Sequence, residues 1–115
     1  MEGYCLLTQN YENRGVCFEE KRRKIKALKH SELRDPKFIN GRVKQTINNP
    51  DFIYSDFDYP KSREVYYKFE FKINGKNVYT KVVIDITKIP LLVVSVFRPD
   101  YIKEQNKTKL LYGKI

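Results

Sequence analysis

Between Arg63 and Arg98 the apolar and polar positions alternate as β-strands require. Val65, Tyr67, Phe69 and Phe71 share one face of a first run, and Tyr66, Lys68 and Glu70 take the other. Asn74-Gly75 then supplies the two positive-φ positions of a tight hairpin turn. A second run, Val78 to Thr87, is β-branched and half polar, and Lys88-Ile89-Pro90 breaks it. Leu91 to Phe97 is an apolar strand that Pro99 ends, with Leu92, Val94 and Val96 on one side and Val93, Ser95 and Phe97 on the other. The pattern predicts an antiparallel meander of at least three strands. An isolated hairpin is marginal, so one face of the meander needs a cover.

The segments upstream change period. From Glu19 to Lys29, Arg22, Ile25 and Leu28 recur at three-residue spacing behind Phe18, and Glu19 and Glu20 suit a helix N-terminus. Asp35-Pro36 makes a second helix start, with Asp as N-cap and Pro at the first helical position. Ile39, Val43 and Ile47 form its core-facing stripe, and Asn48-Asn49-Pro50 stops it. Two helices ahead of a sheet predict an α+β fold: two N-terminal helices packed on a four- or five-stranded antiparallel β-meander. Residues 1–18 form an N-terminal extension, with Tyr4 to Leu7 and Val16 to Phe18 as short strands around an Asn-Arg-Gly turn. A short strand at Phe52-Ile53-Tyr54, a helical turn at Tyr101 to Gln105 and a return to the sheet at Leu110-Leu111-Tyr112 complete the reading.

Composition narrows the class. A chain of 115 residues with 41% apolar and 14% aromatic positions can build one core, so a single domain is expected over 1–115. The net charge of +9 favours an anionic partner and says little about fold. No apolar run is long enough to span a bilayer, and the first residues lack a signal organisation, so a cytoplasmic protein without membrane contact is expected. Cys5 and Cys17 read as free thiols in a reducing compartment. With one histidine they make no standard zinc site, and neither metal nor other cofactor is expected.

Familiar catalytic signatures are absent: there is no phosphate-cradling glycine loop, CxxC, HExxH or serine-hydrolase elbow. What remains is His30, a rich set of cations, several tyrosines, and Ser95 in an otherwise apolar strand. Metal-independent RNA cleavage through the 2′-hydroxyl needs a base, cations around the phosphate and a donor for the departing 5′ oxygen. His30 stands beside Lys29 and one helical turn from Lys26, and this like charge disfavours its protonated form, as suits a base. Lys24, Lys26, Lys29, Arg42, Arg63 and Arg98 are the candidate RNA- and phosphate-binding cations, with Lys68 beside them. Tyr67 or Lys68 is the candidate proton donor. Each has a plain structural alternative: a histidine steadying a helix C-terminus, a core tyrosine, a small serine under a helix.

The order of blocks resembles the phage-type branch of the nuclease superfamily that joins barnase, EndoU, colicin and RelE toxins (the BECR fold). The likeness is carried by Lys29-His30-Ser31-Glu32-Leu33, Thr46 to Tyr54, Arg63 to Lys68, Lys81 to Ile84 and Val93 to Pro99. The resemblance implies a toxin-like endoribonuclease, with His30, Tyr67, Lys68 and Ser95 as catalytic residues. It also implies RNA, such as tRNA or mRNA, as substrate and an acidic antitoxin or immunity protein as partner. Arg23 and Lys24 stand near the places where that branch commonly carries an aromatic residue and an additional histidine.

Two other classes fit the charge. One is a non-catalytic nucleic-acid-binding module whose residues 21–29 lie along phosphates, with affinity that falls steeply with salt. The other is a phage-encoded inhibitor that docks on an acidic host protein.

Overall fold

The computed structural model describes residues 4–19 and 36–113. Seven strands form one sheet: β1 (Tyr4–Gln9), β2 (Gly15–Glu19), β3 (Phe52–Ser55), β4 (Arg63–Ile73), β5 (Lys76–Asp85), β6 (Leu91–Phe97) and β7 (Leu110–Gly113). Their order across the sheet is β1-β2-β6-β5-β4-β3-β7. One helix, α1 (Pro36–Asn48), packs against β1, β4 and β5. The expected first helix over 19–29 falls almost wholly outside the described residues, as do His30, Lys24, Lys26 and Lys29.

The α+β expectation of two N-terminal helices on a four- or five-stranded meander is therefore corrected. Among the described residues the molecule is mostly β, with one short helix against a curled seven-stranded sheet. The extra strands come from the flanks of the meander. The β1–β2 hairpin joins it through a parallel pairing of β2 with β6, Val16 opposite Leu91 and Cys17 opposite Leu92. At the other end β3 pairs with β4, and β7 pairs with β3. Burial supplies the driving force: Val16 and Phe18 are fully buried in the cluster that also holds Val43, Ile47, Ile53, Tyr66 and Val82. The N-terminal segment is thus part of the core, and Cys17 is a buried thiol within it.

Local chemistry places the central elements as expected. Asn74 and Gly75 have φ of 50° and 79°, and the turn they make pairs Ile73 with Lys76. Pro36 opens α1, and Val43 and Ile47 on its stripe are fully buried. The strands β4 and β6 depart from strict alternation. An irregularity between Val83 and Ile84 lets Ser95 oppose Val83 and Val93 oppose Ile84. Val93 and Val96 therefore face the helix, while Val94 and Phe97 join Val65, Tyr67 and Val83 on the other side. The expected grouping of Val94 with Val96 fails because one extra residue shifts the parity.

Curling brings distant pieces together over the helix side. Tyr11, in the β1–β2 turn, lies with its ring centroid 5.1 Å from that of Tyr112 in β7 and 6.1 Å from that of Tyr66. The Asn10 side chain donates to the Tyr66 hydroxyl at 3.2 Å, and that hydroxyl in turn donates to Glu64 at 3.4 Å. Burial pushes the Glu64 carboxyl above the ordinary carboxylate range, with the charge of Glu12 adding to it and Tyr66 and Arg14 opposing. The folded chain holds this proton more tightly than the unfolded chain. Its contribution to stability is present below the ordinary glutamate value and is lost as pH rises through the raised one. Glu64→Gln is expected to match the parent in thermal melts near about pH 4 and to melt higher than it near about pH 8. A melting difference that does not change with pH would remove Glu64 as the cause.

Candidate functional site

The side of the sheet away from α1 carries the candidate site. Alternation along β4 and β5 sets Tyr67 directly opposite Lys81, and Lys81 is in turn opposite Phe97 on β6. The segment after β6 folds back over these three. Pro99 is fixed by its carbonyl, which accepts from Tyr79 N–H at 2.9 Å, and a turn from Ile102 to Thr108 follows. Ile102 packs on the cluster of Tyr54, Val65, Tyr67, Val83 and Val94. The turn delivers Glu104, which is 1% exposed, to the middle of the face.

Glu104 accepts a hydrogen bond from the Tyr67 hydroxyl and an ion-paired one from Lys81 Nζ at 3.2 Å. A buried carboxylate, a phenol and an ammonium thus satisfy one another at a place where an unpaired charge would be costly. Burial raises the Tyr67 phenol above its ordinary range, and the hydrogen bond and charge of Glu104 raise it further. Tyr67 keeps its proton through the neutral range and is a donor, not a base. Lys81 Nζ also stands 5.7 Å from the ring centroids of both Tyr67 and Phe97.

Above this trio opens a cleft of about 390 Å³, lined by Tyr67, Lys81, Phe97, Arg98, Pro99, Tyr101 and Lys103, so that Arg98, one of the cations singled out from sequence, reaches it. Lys103 Nζ lies 5.5 Å from the exposed Phe57 ring, so cations and rings interleave around the opening. The rings continue across the sheet. Phe52, Tyr54, Tyr67, Tyr79 and Phe69 form a chain of neighbours with centroids 6.0–6.4 Å apart, Tyr67 at its centre.

The residues singled out from sequence divide between the two sides. Tyr67 forms the cleft floor. Ser95 shares its side of the sheet, opposite Val83. Arg63 leads the same strand and stacks its guanidinium 4.3 Å from the centroid of Tyr59. Lys68 turns to the helix side, where its Nζ donates to the Asn49 carbonyl at 3.0 Å and stands 4.0 Å from Asp51. Arg42 on α1 and Arg98 after β6 also meet there, on opposite oxygens of Glu70, at 2.8 and 3.2 Å. The Glu70 side chain is fully buried between them. Arg42 and Lys68 are thus separated from Tyr67 by the sheet. His30, Lys24, Lys26 and Lys29 lie outside the described residues.

Lys81, Lys103 and Glu104 were not among the sequence candidates. Lys81 was within reach, because it sits on the polar side of a strand predicted to pair with the one bearing Tyr67. Glu104 offered one weak signal, as the single acid between Tyr101 and Ile115 in an otherwise basic, polar tail. No family model matches the chain, and no curated protein or solved structure matches it either. No helix among the described residues is long and apolar enough to cross a membrane.

Proposed function

We propose that this chain is an endoribonuclease that works without a metal, with the Tyr67–Lys81–Glu104 cleft as its reaction site. The observation that supports this reading is the meeting of a protonated phenol and a carboxylate-held ammonium under an opening rimmed by Lys103 and aromatic rings. In the reaction, the RNA 2′ oxygen attacks phosphorus and the bond to the 5′ oxygen breaks. The products are a 2′,3′-cyclic phosphate and a 5′-hydroxyl. Lys81 and Lys103 face the phosphate charge, and Lys81, which has N–H groups beyond the one held by Glu104, gives a proton to the departing oxygen. Glu104 and Tyr67 are positioning residues: the carboxylate holds the Lys81 ammonium, and the phenol holds the carboxylate. The 2′ proton needs a base, and His30, outside the described residues, is the candidate the sequence offers for it.

Incubation of the purified chain with total RNA in EDTA is expected to give fragments that end in cyclic phosphate. Lys81→Met should slow the cut by about 10²–10³-fold, and His30→Ala by about 10²–10⁴-fold with strand binding retained in the histidine variant. Intact RNA over a wide span of pH and protein concentration would sink the cleavage reading.

A second reading, a non-catalytic RNA-binding module, is favoured by one observation: Arg42 and Lys68 are held by acids and a carbonyl on the far side of the sheet. Fewer cations then surround a phosphate in the cleft than the sequence suggested. A module would bind RNA with a steep salt dependence, log Kd changing by about 0.7 per phosphate neutralised for each decade of salt. Binding of that kind without any fragments selects it.

A further inference from the structure

We infer that the cleft takes an unpaired strand and rejects a duplex, an inference that rests on the RNA reading above. The rings around the opening are placed to meet bases, not backbone. Tyr101 is 62% exposed, Phe57 is 50% exposed and Phe69 is 45% exposed, so these aromatic faces are open to solvent. Phe57 carries the Lys103 ammonium over its face, and Lys103 and Tyr101 both line the cleft. On the other flank Phe69 continues through Tyr79 to Tyr67 at the floor. An aromatic face gains energy from a base only when that base has left its own stack, whereas a duplex presents phosphates and groove edges. Alternation of rings with Lys81 and Lys103 matches alternation of bases with phosphates in a single strand. A duplex would use the cations and leave the rings in water.

The test uses the full chain and a fluorescent RNA of about fifteen nucleotides, 2′-O-methylated so that it has no nucleophile, alone or annealed to its complement. The single strand is expected to bind at least about 10-fold tighter than the duplex. Tyr101→Ala and Phe57→Ala are each expected to weaken it by about 5- to 150-fold while leaving duplex binding little changed. Both rings are exposed, so the fold tolerates their loss, and matched thermal melts verify this. Ile89→Ala, at a residue 97% exposed in the β5–β6 turn, serves as the control that leaves binding unchanged. Equal affinity for strand and duplex, or a preference that survives removal of both rings, overturns the inference and leaves the RNA reading standing. Binding of neither ligand overturns both.

Discussion

Glu104→Ala is expected to lower the melting temperature by roughly 12–20 °C, the equivalent of about 3–5 kcal/mol for a domain of this size. The side chain is 1% exposed, and its two oxygens hold the Tyr67 hydroxyl and the Lys81 ammonium, itself 14% exposed. Alanine leaves a nearly buried positive charge and a buried hydroxyl without their acceptor, which costs far more than the loss of a surface ion pair. It also removes the polar tie between the sheet and the segment that bears Tyr101 and Lys103. Glu104→Gln keeps an acceptor and loses the charge, so a smaller drop is expected. Glu104→Ala combined with Lys81→Met should recover part of the loss, because the stranded charge goes too. Thermal melts of the four proteins decide the matter. A single alanine variant that melts within a few degrees of the parent would show that the tie does not hold this segment.

Phe18→Ala should cost about 3–5 kcal/mol in urea unfolding, the range for truncating a fully buried phenylalanine. Phe18 has no exposed surface and belongs to the same cluster as Val43, Ile47, Ile53 and Tyr66. It reaches that cluster from β2, which is attached to the meander through its parallel pairing with β6. The transition should remain a single one, with the midpoint moved to lower urea. A cost below about 1 kcal/mol would mark the β1–β2 hairpin as a flap and remove it from the core.

What could be read from the sequence was local. The Asn74-Gly75 turn, the Pro36 helix start, the Val43–Ile47 stripe and the strands around Tyr67 and Val82 all follow from chemistry within a few residues. The pairing of Val16 with Leu91 does not, because nothing near either residue specifies a partner so distant along the chain. The site was hard to read for a related reason. Alternation tells which residues of one strand share a side, but not what covers that side. Adjacent strand residues point opposite ways, so Tyr67 and Lys68 were never able to serve one phosphate from the same strand. Period two already separated them. The extra residue in β6 then reversed the parity of Val94, and the partner of Lys81 arrived from a turn with no repeating pattern.

The placement of Glu70 has a practical consequence for handling the molecule. Its carboxylate is sealed between two guanidinium groups, where dissolved ions screen poorly, so the clamp from α1 to the end of β6 should hold in concentrated brine. On the proposed function, a strand held in the cleft has no such shelter and should let go. On that reading ionic strength becomes a reversible eluent, stripping captured polymer from a chain that stays folded.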